Sequence, residues 1–106
     1  MIIPTTEWLQ PKEFPDLSKH EEIAIDLETR DPDLKSKGSG AIIGNGEVVG
    51  IAVAVTGWKG YYPIAHESGP NMDRKKVLEW FTAVCKLPAT KIFHNAMYDV
   101  SWIRNL

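Results

Sequence analysis

Two carboxylates, Asp26 and Glu28, stand two positions apart in the apolar run Ile23-Ala24-Ile25-Asp26-Leu27-Glu28-Thr29. A run this short and this β-branched reads as a strand buried on both faces. Side chains alternate along a strand, so both acids point to one side, with Cα atoms roughly 6.5 Å apart. Like charges held that close repel, and burial adds the loss of their hydration. A divalent cation that takes oxygen ligands, Mg²⁺ or Mn²⁺, relieves both penalties. The competing account is that the strand has simply reached water and the two acids are solvated. A third acid, Asp99, lies four residues after Asn95 in His94-Asn95-Ala96-Met97-Tyr98-Asp99. At helical spacing the two share a face, with Asn95 as N-cap. An acid in a first turn also has a plainer role, favouring the helix dipole by a few tenths to about 1 kcal/mol. The strand carrying Asp26 and Glu28 and the one leading into Asn95 are expected to be parallel neighbours joined by a crossover helix. Asp26, Glu28 and Asp99 then converge at one sheet edge, a carboxylate set suited to metal-assisted phosphoryl chemistry.

The elements that must hold these residues can be placed in order. Residues 1–20 carry Trp8, Leu9, Phe14 and Leu17, interrupted by Pro4, Pro11 and Pro15. Prolines at that density exclude a long helix and leave an extended lead-in pinned by its aromatics. A strand follows over about 22–28. Residues 29–47 form a polar, Gly-rich connection of a length usually tied to function. Its Gly38-Ser39-Gly40 is not a dinucleotide fingerprint, because no strand-to-helix turn and no third glycine accompany it. Arg30, Lys35 and Lys37 read as solvated loop cations. Residues 48–56 are a strand, Gly57-Trp58-Lys59-Gly60 a hairpin turn, and 61–65 the return strand, which Pro63 assigns to an edge or a bulge.

Met72 to Leu87 shows helical spacing, with Val77, Trp80, Phe81, Val84 and Cys85 on one face and Asn71 or Asp73 as N-cap. Pro88 ends it. Lys91-Ile92-Phe93 is a short buried strand, and Ala96 to Leu106 a second helix with apolar rows Tyr98/Trp102/Leu106 and Met97/Val100/Ile103. The expected order is βββαβα, an α/β domain over 21–106.

Composition narrows the function classes. The chain has 106 residues, 43% hydrophobic and 25% charged, within the ordinary range of a single globular domain. A net charge of −2 supplies no general basic field, so a polyanion must be met locally or through cations. The lone Cys85 makes no intrachain disulfide and reads as a core thiol in a reducing compartment. His20, His66 and His94 are scattered, and no cysteine pair stands at zinc-ligand spacing. Trp8, Trp58, Trp80 and Trp102 read as core or anchoring residues. No signal peptide and no membrane-length apolar run are visible, so the expected location is the cytoplasm, that of the host if the chain is phage-encoded.

Ile25-Asp26-Leu27-Glu28-Thr29, followed about seventy residues later by His94-Asn95-Ala96-Met97-Tyr98-Asp99, resembles the first two motifs of the DEDD 3′–5′ exonucleases. The wording is closest to the proofreading domain of family A DNA polymerases, especially bacteriophage ones. Asp-Leu-Glu-Thr-Arg-Asp-Pro-Asp-Leu, the Gly-rich loop, and Val-Val-Gly-Ile-Ala-Val-Ala with Tyr-Tyr-Pro-Ile carry the likeness across residues 20–106. The resemblance implies a ribonuclease-H-like fold and a two-metal site. Asp26 would bridge two Mg²⁺ (or Mn²⁺) ions, Glu28 would hold the one that activates water, and Asp99 would ligate the other directly or through water. Thr29 and Asn95 would hydrogen-bond the terminal nucleotide of a single DNA strand, with Leu34 packing near unstacked bases. The family's third motif, Tyr-x-x-x-Asp on a later helix, has no counterpart here. The chain is therefore expected to be an N-terminal fragment of a polymerase, truncated before the last strand and helix, and weakly active or inactive alone.

Two other readings use the same residues. One is a catalytically incompetent module that binds nucleic acid or a partner polypeptide on a ribonuclease-H-like half-fold. The other is an RNA-processing exonuclease or ribonuclease H relative, which the 2′-hydroxyl would discriminate.

Overall fold

The computed structural model describes residues 14–31, 40, 46–67, 70–93 and 96–104, and only the backbone of 96 and 97. Leu34, Asn95, Trp8 and Leu9 lie outside the described residues. Among the described residues, the elements are β1 (Glu22–Arg30), β2 (Glu47–Val55), β3 (Trp58–Pro63), α1 (Arg74–Cys85), β4 (Thr90–Phe93) and α2 (Ala96–Arg104). They form a mixed α/β unit whose sheet runs β3-β2-β1-β4. β1 and β2 pair antiparallel, as do β2 and β3, while β4 lies parallel to β1 with Ile25 beside Phe93. The order of these elements and the parallel pairing match the expectation from the sequence, while Gly40, expected in a loop, is helical.

The period-two pattern decides which face is core. Ile25–Val53–Gly60 and Leu27–Ile51–Tyr62 are cross-strand rows on one face, and all six residues are buried. α1 contributes Val77, Phe81 and Val84 to the same apolar cluster, and α2 contributes Trp102. Fully burying side chains of this size is worth about 1.5–3 kcal/mol each. β1 is not, however, buried on both faces as expected. Ala24 is exposed and Asp26 and Glu28 are half-buried, so the acids look out from the non-core face.

Several details differ from expectation. Val55 pairs with Trp58, so the hairpin loop is Thr56-Gly57, with Gly57 at φ +85°, and Trp58 to Gly60 already belong to the strand. A two-residue loop needs positive φ to match strand twist, which glycine accepts without strain. α1 is shorter at both ends. Asp73 is its N-cap, accepting from the Lys76 N–H at 3.3 Å, and Lys86 closes it by donating to the carbonyls of Thr82 and Ala83, ahead of Pro88. β4 is half-open rather than buried, with Ile92 46% exposed, because among the described residues it forms a sheet edge. Pro63 does sit on an edge strand, β3.

The described part of the lead-in is pinned by aromatics. Phe14 stacks on Tyr62 at 5.6 Å and tilts against Trp80 at 5.8 Å. The Trp80 indole N–H donates to the Pro15 carbonyl at 2.9 Å, and Leu17 is buried.

Candidate functional site

The rows next to the core rows build the outer face. Asp26 lies opposite Ala52, which lies opposite Tyr61, and Glu28 lies opposite Gly50. Directly paired residues share a face, so Asp26, Glu28 and Tyr61 project together. The two residues between them are the smallest available. A β-carbon on Gly50 would collide with the Tyr61 phenol ring and hydroxyl. Glycine in a strand interior often marks such a close approach. The missing side chain gives the Tyr61 ring room to lie across β2 towards Glu28.

The electrostatics follow from this crowding. Burial pushes the Glu28 carboxyl up, and the Asp26 charge adds to it, opposed in part by His66. The Tyr61 phenol is pushed up to about 12 by burial, then by Glu28 and Asp26. Tyr61 is also hydrogen-bonded to Nε2 of His66. Asp26, Glu28, Tyr61 and His66 thus form one electrostatic neighbourhood. Asp26 Oδ2 is buried and makes no hydrogen bond among the described residues. A buried acceptor without a donor costs about 1–3 kcal/mol, more when charged, and calls for a missing partner. A divalent cation with oxygen ligands fits that donor set.

The other end of β1 is tied to α2. Tyr98 donates its phenol proton to Asp31 Oδ2 at 2.8 Å. Its oxygen lies 2.9 Å from Thr29 Oγ1. With the phenol proton committed to Asp31, Thr29 is the donor in that second bond. Asp31 also receives the Gly40 N–H on both carboxylate oxygens at 3.0 Å. The β1–β2 ladder is irregular just here: the register shifts between Glu28 and Thr29, and Val49 is the extra residue on β2. The Val49 carbonyl accepts from both Ile64 and Ala65. Such a bulge re-aims the strand end. Arg30 donates to the Ala65 carbonyl at 2.8 Å and pairs with Glu47 at 2.8 Å, so it clamps the strand ends rather than serving as a solvated loop cation.

The structure therefore gathers Asp26 and Glu28 on one face, and seats Thr29 against α2 through Tyr98. Asp99 is on α2 in its first turn, 3% exposed, far more buried than a helix-dipole acid requires. Among the described residues, no three His, Cys, Asp or Glu side chains come together as a group able to hold a metal ion. Sequence reading missed Tyr61, His66, Asp31 and Tyr98. Only Tyr61 had a signal, the glycine inside Val48-Val49-Gly50-Ile51-Ala52-Val53.

No model of a known protein family matches the chain. Over 104 residues, 93% of the chain, it is 35% identical to a DNA-directed DNA polymerase of Pseudomonas phage M6. The chain spans 16% of the length of that polymerase. It is thus related to one part of a phage DNA polymerase. Among the described residues, no helix is long and apolar enough to cross a membrane.

Proposed function

We propose that this chain is a portion of a 3′–5′ exonuclease domain that proofreads for a DNA polymerase, with a ribonuclease-H-like fold. The carrying observation is the pair Asp26 and Glu28 on the outer face of β1, with Asp26 Oδ2 buried and lacking a hydrogen bond among the described residues. The sheet order β3-β2-β1-β4 with β4 parallel to β1 is consistent with that fold, and the relationship to a phage polymerase supports the setting.

Asp26 and Glu28 would hold Mg²⁺ or Mn²⁺, and Asp99 would join through water. Bound there, the cation supplies Lewis-acid activation of water and neutralises phosphate charge. The chain's own residues do the rest. Thr29, already donating to Tyr98, keeps its oxygen lone pairs for a hydroxyl of the terminal nucleotide. Asp31 and Tyr98 hold α2, and with it Asp99, against the end of β1. A polyanionic strand is reconciled with the net charge of −2 by the cations rather than by a basic field. Frayed, single-stranded 3′ ends would be the substrate, because paired ends must first be separated.

The test is calorimetric titration of Mn²⁺ into the chain, together with single-stranded DNA binding with and without Mg²⁺. The reading expects Mn²⁺ affinity to fall at least about tenfold in Asp26→Ala, roughly the loss of one charged ligand. It also expects strand binding to depend on the metal. Metal-independent strand binding, indifferent to Asp26→Ala, would instead support the non-catalytic binding module.

A further inference from the structure

We infer that His66, held by Tyr61 and Asn71, is a further strand-contacting residue of this site, presenting a hydrogen-bond donor to an oxygen of the terminal nucleotide. The inference rests on the exonuclease reading and extends it to a residue outside the acidic motifs.

His66 follows β3 in a loop and is half-buried, yet it is restrained at both ends. Its backbone N–H donates to Asn71 Oδ1 at 2.8 Å, and Asn71 Nδ2 donates back to the His66 carbonyl at 3.0 Å. Its ring is hydrogen-bonded through Nε2 to Tyr61 and meets the Tyr61 ring edge-on, centroids 5.7 Å apart at 66°. Tyr61 in turn is fixed in the row Asp26–Ala52–Tyr61 and fills the space over Gly50. A ring oriented this fully has already lost the side-chain freedom that ligand binding would otherwise remove, about 0.5–1.5 kcal/mol for a flexible side chain.

The chemistry of the neighbourhood decides what the ring offers. The Tyr61 hydroxyl occupies Nε2, which leaves Nδ1 as the ring nitrogen to face a ligand. In the tautomer that accepts from Tyr61 at Nε2, the proton sits on Nδ1, and that is the donor the inference assigns. Asp26 and Glu28 offer only acceptors when ionised, which suits cations and repels phosphate. A nucleotide bound beside them needs a donor that is not an acid. Arg30, the cation on this edge, is committed to Glu47 and to the Ala65 carbonyl. His66 is bonded to Tyr61, which stands in the same cross-strand row as Asp26. It is therefore placed to donate to a phosphate or sugar oxygen there.

The test measures anisotropy of a 5′-fluorescein oligothymidylate with the 106-residue chain in Mg²⁺, beside Mn²⁺ calorimetry and thermal melting. His66→Ala and His66→Gln are expected to weaken strand binding about five- to tenfold, the loss of one hydrogen bond to a charged oxygen. His66→Asn, whose amide nitrogen takes the place of Nδ1, recovers most of it. Tyr61→Phe gives an intermediate loss, and Mn²⁺ affinity stays within about twofold of wild type in all four. Wild-type strand binding by His66→Gln, or His66→Asn as weak as His66→Ala, overturns the inference. The glutamine and asparagine variants both lose the ring, so a shared folding defect cannot mimic the difference between them. The underlying reading fails separately, by Asp26→Ala leaving both Mn²⁺ and strand binding intact.

Discussion

Tyr98 and Asp31 are 67 positions apart in the chain and 2.8 Å apart in space, joined by the phenol proton. Asp31 also holds the Gly40 N–H, and Tyr98 also receives the Thr29 hydroxyl. One carboxylate thus ties the connection after β1 and the helix carrying Asp99 to the same point. Asp31→Ala leaves an N–H and a phenol without their acceptor and is expected to destabilise the chain by about 1–3 kcal/mol. Tyr98→Phe, which leaves Asp31 bonded to Gly40, should cost less, about 0.5–1.5 kcal/mol. Urea unfolding midpoints of the two variants check the order.

Gly50 is the second point of close approach. Gly50→Ala places a methyl group where the Tyr61 ring lies, and the ring must move. The expected cost is about 1–3 kcal/mol, as for overpacking of a filled space. The double variant with Tyr61→Ala removes the collision, so it should melt less far below Tyr61→Ala alone than Gly50→Ala melts below wild type. Simple additivity would show that the two residues do not meet.

The tyrosines provide a spectroscopic test. All three are pushed up in the folded chain, Tyr61 to about 12, with burial as the first cause in each. The phenolate band should therefore rise later with pH than in the unfolded chain, whose tyrosines titrate at about 10. A folded-state value above the unfolded one means the native state holds its proton longer. Stability from Tyr61 is present below pH 10 and is lost as pH rises from there towards about 12. Because Glu28 and then Asp26 add to the shift, Glu28→Gln should bring the Tyr61 transition down.

Glu28 carries the same sign at lower pH. Burial first, and then Asp26, raise its carboxyl, so the folded chain binds that proton more tightly than the unfolded one. Without metal, stability should fall as pH rises from the ordinary glutamate value of about 4.3 through the raised one. Glu28→Gln should flatten that slope in unfolding measured across the window with chelator present. Saturating Mn²⁺ should oppose the loss, since ligand that binds only the folded chain stabilises it by mass action.

Much of the scaffold was legible because its causes are local. Alternation in β1 announced that Asp26 and Glu28 share a side, and the apolar spacing of α1 announced Val77, Phe81 and Val84 as its buried face. Asp73 was readable as a cap, and Pro63 as an edge residue, because each depends on a few neighbouring backbone groups. The limits appear where a boundary or a face depends on what packs from elsewhere. Apolar content alone could not tell that only one side of β1 is core, and β4 proved half-open for the same reason.

The sequence by itself determined the two acids of β1, their common direction and the order of the elements, since these follow from periodicities of two and 3.6 residues. Tertiary structure alone decided the company they keep. Cross-strand register put Tyr61 beside Asp26 across Ala52, a glycine gap let its ring lie over β2, and the Asp31–Tyr98 bond fastened α2 to the end of β1. The reason is physical: hydrogen bonds between residues tens of positions apart depend on register and docking, and neither is written in the spacing of any single segment.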